Sequence, residues 1–178
     1  IFSSIIEKYM YLLNSIDLLN KKNIVHFDLK DENILINKKN KNPLIIDFGI
    51  SLDMRSVNYS KLDDYFYVFA PEYYIWSFEI HIICFLSKNV KDDQYKLKKN
   101  DIERIANDFV ENNKALYVFS NEFIDDYKGK CIEFGETLVD KSKKEIINLL
   151  TKKEVYQTWD NYSLSCLILK TFKYLFDN

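Results

Sequence analysis

The 178 residues are 47% hydrophobic and 29% charged, with a formal net charge of -2. That balance describes one globular unit and excludes a disordered chain. Lys and Arg are interspersed with Asp and Glu, so no basic stripe is available to neutralise a phosphate backbone, and nucleic acid is not an expected partner. Cys84, Cys131 and Cys166 lie far apart with no C-x-x-C pair, which argues for free buried thiols rather than a disulfide framework or a structural zinc site.

In chain order, Phe2, Ile5, Ile6, Tyr9, Leu12, Leu13, Ile16 and Leu19 recur at three-and-four spacing, and this predicts an amphipathic helix ending near Lys21-Lys22-Asn23. Two apolar runs, Ile34-Leu35-Ile36 and Leu44-Ile45-Ile46, flank the polar segment 37–43 and predict a small hairpin. His26-Phe27-Asp28-Leu29-Lys30-Asp31-Glu32-Asn33 leads into it and Asp47-Phe48-Gly49 follows it. Residues 67–72, from Tyr67 through Ala70-Pro71-Glu72, are predicted to open a short helix. The most apolar stretch, Tyr73 to Leu86, contains Glu79 and His81 and is too short to cross a bilayer. No membrane association is expected, and a cytosolic or nuclear protein fits best. Ile102, Ile105, Ala106, Phe109, Val110 and Tyr117 are assigned to one helical face, Ser142 and Glu145 form a capping box ahead of Ile146-Ile147, and Asp160 begins a C-terminal apolar helix.

The segment from His26 to Gly49 has a chemical reading. Phosphoryl transfer asks a protein for positioning and charge compensation: a carboxylate for the acceptor hydroxyl, and hard oxygen ligands for magnesium. Asp28, Asn33 and Asp47 could supply one base and two metal ligands.

In these residues the chain resembles the eukaryotic-type protein kinase family, whose catalytic loop runs H-R-D-L-x-x-x-N, whose metal loop is D-F-G and whose activation segment ends in A-P-E. The resemblance implies a mainly α (α+β) fold, the large lobe of a kinase with a small β-hairpin carrying the catalytic and metal loops. It implies ATP and Mg2+ as cofactors, with a protein substrate phosphorylated on Ser or Thr. Asp28 would be the catalytic base and Lys30 the cation facing the transferred phosphate. Asn33 and Asp47 would be the magnesium ligands, with Leu35 the floor beneath adenine. His26 and Phe48 would stack, and Asp160, matching the first residue of D-x-W-S-x-G with Tyr162 for Trp and Ser165 for Gly, would accept backbone amides of the catalytic loop.

Two departures shape the remaining expectations. The arginine of H-R-D is Phe27 here, which cannot pair with a phosphate and is expected to pack instead on Phe66, Tyr67 and Phe69. Ser51, Ser56, Tyr59, Ser60 and Tyr65 then read as plain loop residues. The chain is further expected to divide into residues 1–76, an insertion at 77–155, and residues 156–178. The insertion could dock a substrate or partner, mask the peptide groove, or decorate it. The glycine-rich loop, the small-lobe lysine and the last helices are expected to lie outside the chain, so that it would be inactive alone. Two alternatives stay open: a degenerate kinase serving as a binding module, and a small-molecule phosphotransferase of the aminoglycoside or choline kinase type.

Overall fold

The computed structural model describes residues 2–177, the side chains of Tyr59, Asp63 and Asp177 excepted. Helix α1 (Phe2–Lys21) buries Leu12 and Ile16 and stops where Asn23 takes φ 58°, the left-handed conformation that Asn tolerates at a helix end. Strand β1 (Ile24–Val25) follows. Strands β2 (Ile34–Ile36) and β3 (Pro43–Ile45) form the hairpin in the register Ile34 to Ile45, Leu35 to Leu44 and Ile36 to Pro43. The second strand thus sits one residue earlier than its apolar run, although the Ile46 N–H still continues the ladder to the Asn33 carbonyl at 2.9 Å. Strand β4 (Leu52–Asp53) returns antiparallel to β1. That two-residue pairing has no legible sequence period, and it ties the chain after Asp47-Phe48-Gly49 to the start of the loop at residues 26–33.

The helix predicted to open at residues 67–72 does not form. Residues 70–76 run as successive turns, with Tyr73 N–H on the Ala70 carbonyl and Trp76 N–H on that of Tyr73. Pro71 offers no N–H to a helical ladder, and the aromatic rings that follow are used elsewhere, as described below. Helix α2 (Phe78–Asn89) is apolar all round and buried from Ile80 to Ser87, the pattern of a helix at the centre of a core. Helix α3 (Lys99–Asn112) buries Ile102, Ile105, Ala106, Phe109 and Val110 as one face. Tyr117 does not belong to that face, because it falls in a separate 3-10 turn and is 58% exposed. Helix α4 (Asn121–Glu136) crosses α3 closely at Gly135, where a Cβ would lie 2.9 Å from Ile102 Cδ1. Helices α5 (Lys143–Leu150), α6 (Lys153–Tyr156) and α7 (Trp159–Asp177) complete the chain.

Two clusters hold these elements together. The larger unites Val25, Phe27 and Leu52 of the loop region with Phe66, Trp76, α2, α3, α5 and Trp159, so residues 77–155 share a core with the loop that holds Phe27. The smaller packs Leu29 against Leu12 and Ile16 of α1 and Leu164 of α7, with Ile34 and Ile45 beside it. All three cysteines are free and buried. Burial pushes the Cys131 thiol up to about 12 and the Cys166 thiol up to about 11, which leaves them inert as nucleophiles. No helix among the described residues is long and apolar enough to cross a membrane.

Candidate active site

The loop at residues 26–33 is anchored from below. Leu29 is fully buried in the smaller cluster. On either side of it, Asp28 and Lys30 carry functional groups that meet each other above the core. Asp160, at the start of α7, accepts the backbone N–H of His26 at 2.6 Å and of Phe27 at 3.0 Å. Two buried donors are thereby satisfied by one carboxylate. Burial pushes the Asp160 carboxyl up, opposed by those two N–H groups and by His26, which favour the carboxylate. Lys170 of α7 adds an ion pair to Asp31 at 2.9 Å.

Phe27 has φ 68°, an uncommon backbone for a bulky side chain, sustained only where the surroundings over-determine it. They do so here with rings: Trp76 lies at 4.8 Å, Phe66 at 5.6 Å and Trp159 at 6.3 Å between centroids. The indole N–H of Trp76 also donates to the Phe27 carbonyl at 2.8 Å. Of the three partners expected for Phe27, Phe66 is correct. Tyr67 is instead 59% exposed, and Phe69 packs edge-on against Phe85 and His81.

His26 is buried, and its Nε2 lies 2.9 Å from the Ile46 carbonyl while its Nδ1 receives the Asp28 N–H at 3.3 Å. The two contacts together assign the ring proton to Nε2. Phe48 meets the same ring edge-on at 4.8 Å, the contact expected between the catalytic and metal loops. The Ser51 hydroxyl closes the other side by donating to the His26 carbonyl at 3.1 Å.

The Asp28 carboxylate is the centre of the arrangement. Asn33 Nδ2 donates to its Oδ2 at 2.9 Å and to its backbone carbonyl at 2.8 Å. Lys30 Nζ stands 3.0 Å from Oδ1, and the Tyr73 hydroxyl donates to that same oxygen. Asn33 commits its amide nitrogen to Asp28, which leaves its amide oxygen as the group able to act as a metal donor. Asp47, one residue beyond the Ile46 to Asn33 bond, adopts φ 61° and accepts the Gly49 N–H at 3.2 Å. One amide oxygen and one exposed carboxylate are hard donors of the sort magnesium takes alongside phosphate oxygens and water. Among the described residues no group of three or more His, Cys, Asp or Glu that could hold a metal ion is found.

Leu35 lies on the outer face of the hairpin at 52% exposure. Tyr162 receives Asn113 Nδ2 on its hydroxyl at 2.8 Å, and Ser163 donates to the Ile75 carbonyl at 2.7 Å, so α7 also grips the chain after A-P-E. Ser165 is exposed. Sequence reasoning passed over Tyr73 and Trp76, two aromatic residues directly after A-P-E that bind the catalytic loop. Their position beside that motif was the available signal.

A family model described as the protein kinase domain matches residues 3–157. The chain belongs to that family. The kinase domain is also 51% identical over 43 residues to calcium-dependent protein kinase 4 of Plasmodium falciparum (isolate 3D7), covering 22% of this chain and 8% of that protein. A protein of Dictyostelium discoideum named as a probable serine/threonine-protein kinase is 48% identical over 50 residues, 28% of this chain and 5% of its own length. The chain therefore matches only a small part of either relative. No solved structure matches it.

Proposed function

We propose that residues 1–178 form most of the large lobe of a kinase that transfers the γ-phosphoryl group of ATP to Ser or Thr hydroxyls of proteins. The small lobe would be supplied from outside these residues. The observation that carries this reading is the Asp28 carboxylate, held by Asn33 on one oxygen and paired with Lys30 on the other. A base must be fixed in orientation and left ionised to receive a hydroxyl proton, and a cation beside it offsets charge on the phosphoryl oxygens in flight. Asn33 and Asp47 would hold Mg2+, which when bound neutralises phosphate charge. Leu35 would lie beneath adenine. The His26 to Phe48 contact keeps the metal loop against the catalytic loop, and Asp160 keeps the loop on α7. Ser/Thr preference rests on the Asp28-Leu29-Lys30 reading and on the name of the Dictyostelium relative. A protein substrate is favoured over a small molecule by Lys30 and by the A-P-E motif.

The test uses the full-length protein with Mg2+, ATP and Ser/Thr peptide libraries. Asp28→Asn is expected to lower turnover by about a thousandfold while nucleotide binding persists, a loss typical of general-base removal. Asp47→Asn is expected to weaken binding of magnesium-ATP itself. Equal loss of nucleotide affinity in both variants would show that the roles are misassigned.

A further inference from the structure

Tyr73 stands where an acceptor would stand. Its hydroxyl donates to Asp28 Oδ1, the oxygen that Lys30 approaches at 3.0 Å. Lys30 Nζ is also 3.5 Å from the phenolic oxygen and 5.8 Å from the ring centroid. The ring is held edge-on to Trp76 at 4.8 Å, and Trp76 is itself bonded to the Phe27 carbonyl. The phenol is therefore clamped to the catalytic loop from two sides, with a base at its oxygen and a cation beside it.

We propose that Tyr73 is a self-phosphorylation site, its phenolic oxygen taking the γ-phosphoryl group of ATP bound to the same molecule. This rests on the function proposed above. In the transfer, the bond between the Tyr73 oxygen and the γ-phosphorus forms and the bond between the γ-phosphorus and the β–γ bridging oxygen breaks. The phenolic proton passes to Asp28, and ADP leaves with the electron pair of the broken bond. Burial, and then the Asp28 carboxylate, push the phenol well above its ordinary range, so the group reaches the site as a neutral hydroxyl with its proton directed at the base. Tyr65 and Tyr67 do not share this geometry: the first points its hydroxyl towards the Ser56 carbonyl at 3.5 Å and the second is 59% exposed. The product places nearly two negative charges beside Asp28 and removes the hydrogen bond that held the ring. Repulsion then expels it, and Asp28 Oδ1 becomes available to the hydroxyl of a separate substrate.

The experiment treats the full-length protein with phosphatase, adds Mg2+ and ATP, and follows the peptide containing residue 73 by mass spectrometry at several protein concentrations. Phosphate is expected on Tyr73, at a first-order rate independent of protein concentration, and absent in Asp28→Asn. A protein that phosphorylates peptides through Asp28 yet leaves Tyr73 unmodified overturns this inference and leaves the proposed function standing. A rate that rises with protein concentration also overturns it, since the acceptor would then belong to another molecule. Absence of any Asp28-dependent transfer overturns both. A second readout needs no nucleotide. Each unit by which the phenol is raised leaves about tenfold less reactive phenolate, so tetranitromethane is expected to nitrate Tyr73 at least about tenfold more slowly than exposed Tyr67. Asp28→Ala should narrow that gap, and equal nitration in the unmodified protein would show that the contact does not exist in solution.

Discussion

The loop region at residues 24–53 and the helical block at residues 77–155 differ in how completely they satisfy buried polar groups, although Asn113 and Thr151 of the block are hydrogen-bonded. In the loop region His26, Asp28 and Asn33 are buried and every one is hydrogen-bonded, with Asp160 reaching in from α7 to complete them. Its apolar residues Leu35, Ile36, Leu44, Phe48 and Ile50 are by contrast exposed by 40% or more. The helical block buries Ile80, Ile82, Ile83, Ile102, Ile105 and Phe109 almost completely, yet leaves the hydroxyls of Ser77 and Ser87 and both ring nitrogens of His81 without a hydrogen-bond partner. Satisfied polar groups fix orientation and cost little; unsatisfied ones are tolerated only where the surrounding apolar burial is large. The loop region is thus organised by direction and the helical block by volume.

If that contrast is right, the largest losses of stability come from the helical block. Phe109 is fully buried, with Phe78 at 5.4 Å, His81 at 5.1 Å and the rings of Tyr127 and Tyr162 beyond. Phe109→Ala is expected to cost about 4 kcal/mol in chemical denaturation, from lost transfer energy and the cavity left behind. A loss under about 1 kcal/mol would mean that the block collapses around the gap and is not close-packed.

His81 sharpens the comparison through pH. Burial lowers it from 6.5 to about 4, outweighing the backbone of Trp76 and Tyr73, which favours the charged ring. Between those values the unfolded chain binds a proton that the folded chain refuses. The associated stability is therefore present above the unfolded value and is lost as pH falls towards the folded one, by roughly 3 kcal/mol across the window. Denaturation midpoints of the protein and of His81→Phe should converge in their acid dependence only after this contribution is removed; identical pH profiles would show that the ring is solvated. In the loop region Asp160→Asn should cost less, about 2 kcal/mol, because the amide oxygen still accepts one N–H while its nitrogen faces the other. Under the proposed function its separate signature would be misplacement of Asp28, read as lower turnover at unchanged nucleotide affinity.

The same division decides what could be read in the sequence. Helices α1, α3, α5 and α7 follow from three-and-four spacing or from a capping pair, because a helix writes its buried face into adjacent residues. The hairpin follows from its two apolar runs, and Asp28, Asn33 and Asp47 stand out by residue type around it, whereas Lys30 was singled out only through family resemblance. Asp160 was legible only through family resemblance, since its partners His26 and Phe27 lie 134 and 133 residues away. The pairing of β1 with β4 is two residues long and leaves no period. Tyr73 and Trp76 were hidden because a helix seemed the natural continuation of A-P-E, whereas the hydrogen bonds they make to Asp28 and Phe27 are long-range and favour a chain of turns.

The smallest effect tests whether local capping matters in a block governed by volume. At the start of α5 the Ser142 hydroxyl accepts the Glu145 N–H at 3.3 Å, and the Glu145 carboxylate accepts the Ser142 N–H at 2.7 Å, so both halves of the capping box are made. At the start of α3 only the carboxylate half exists, Asp101 accepting the Lys98 N–H at 3.1 Å, because a lysine ammonium has no lone pair to offer. Ser142→Ala should therefore convert the first kind of end into the second and cost about 1 kcal/mol. A helix as short as α5 cannot sustain itself in isolation, and Ile146, Ile147 and Leu150 bury its inner face. Packing should hold the helix in place and leave only the lost hydrogen bond to register in the denaturation midpoint. A loss as large as that of Phe109→Ala would show instead that the cap nucleates the block, and that direction governs residues 77–155 as it does the catalytic loop.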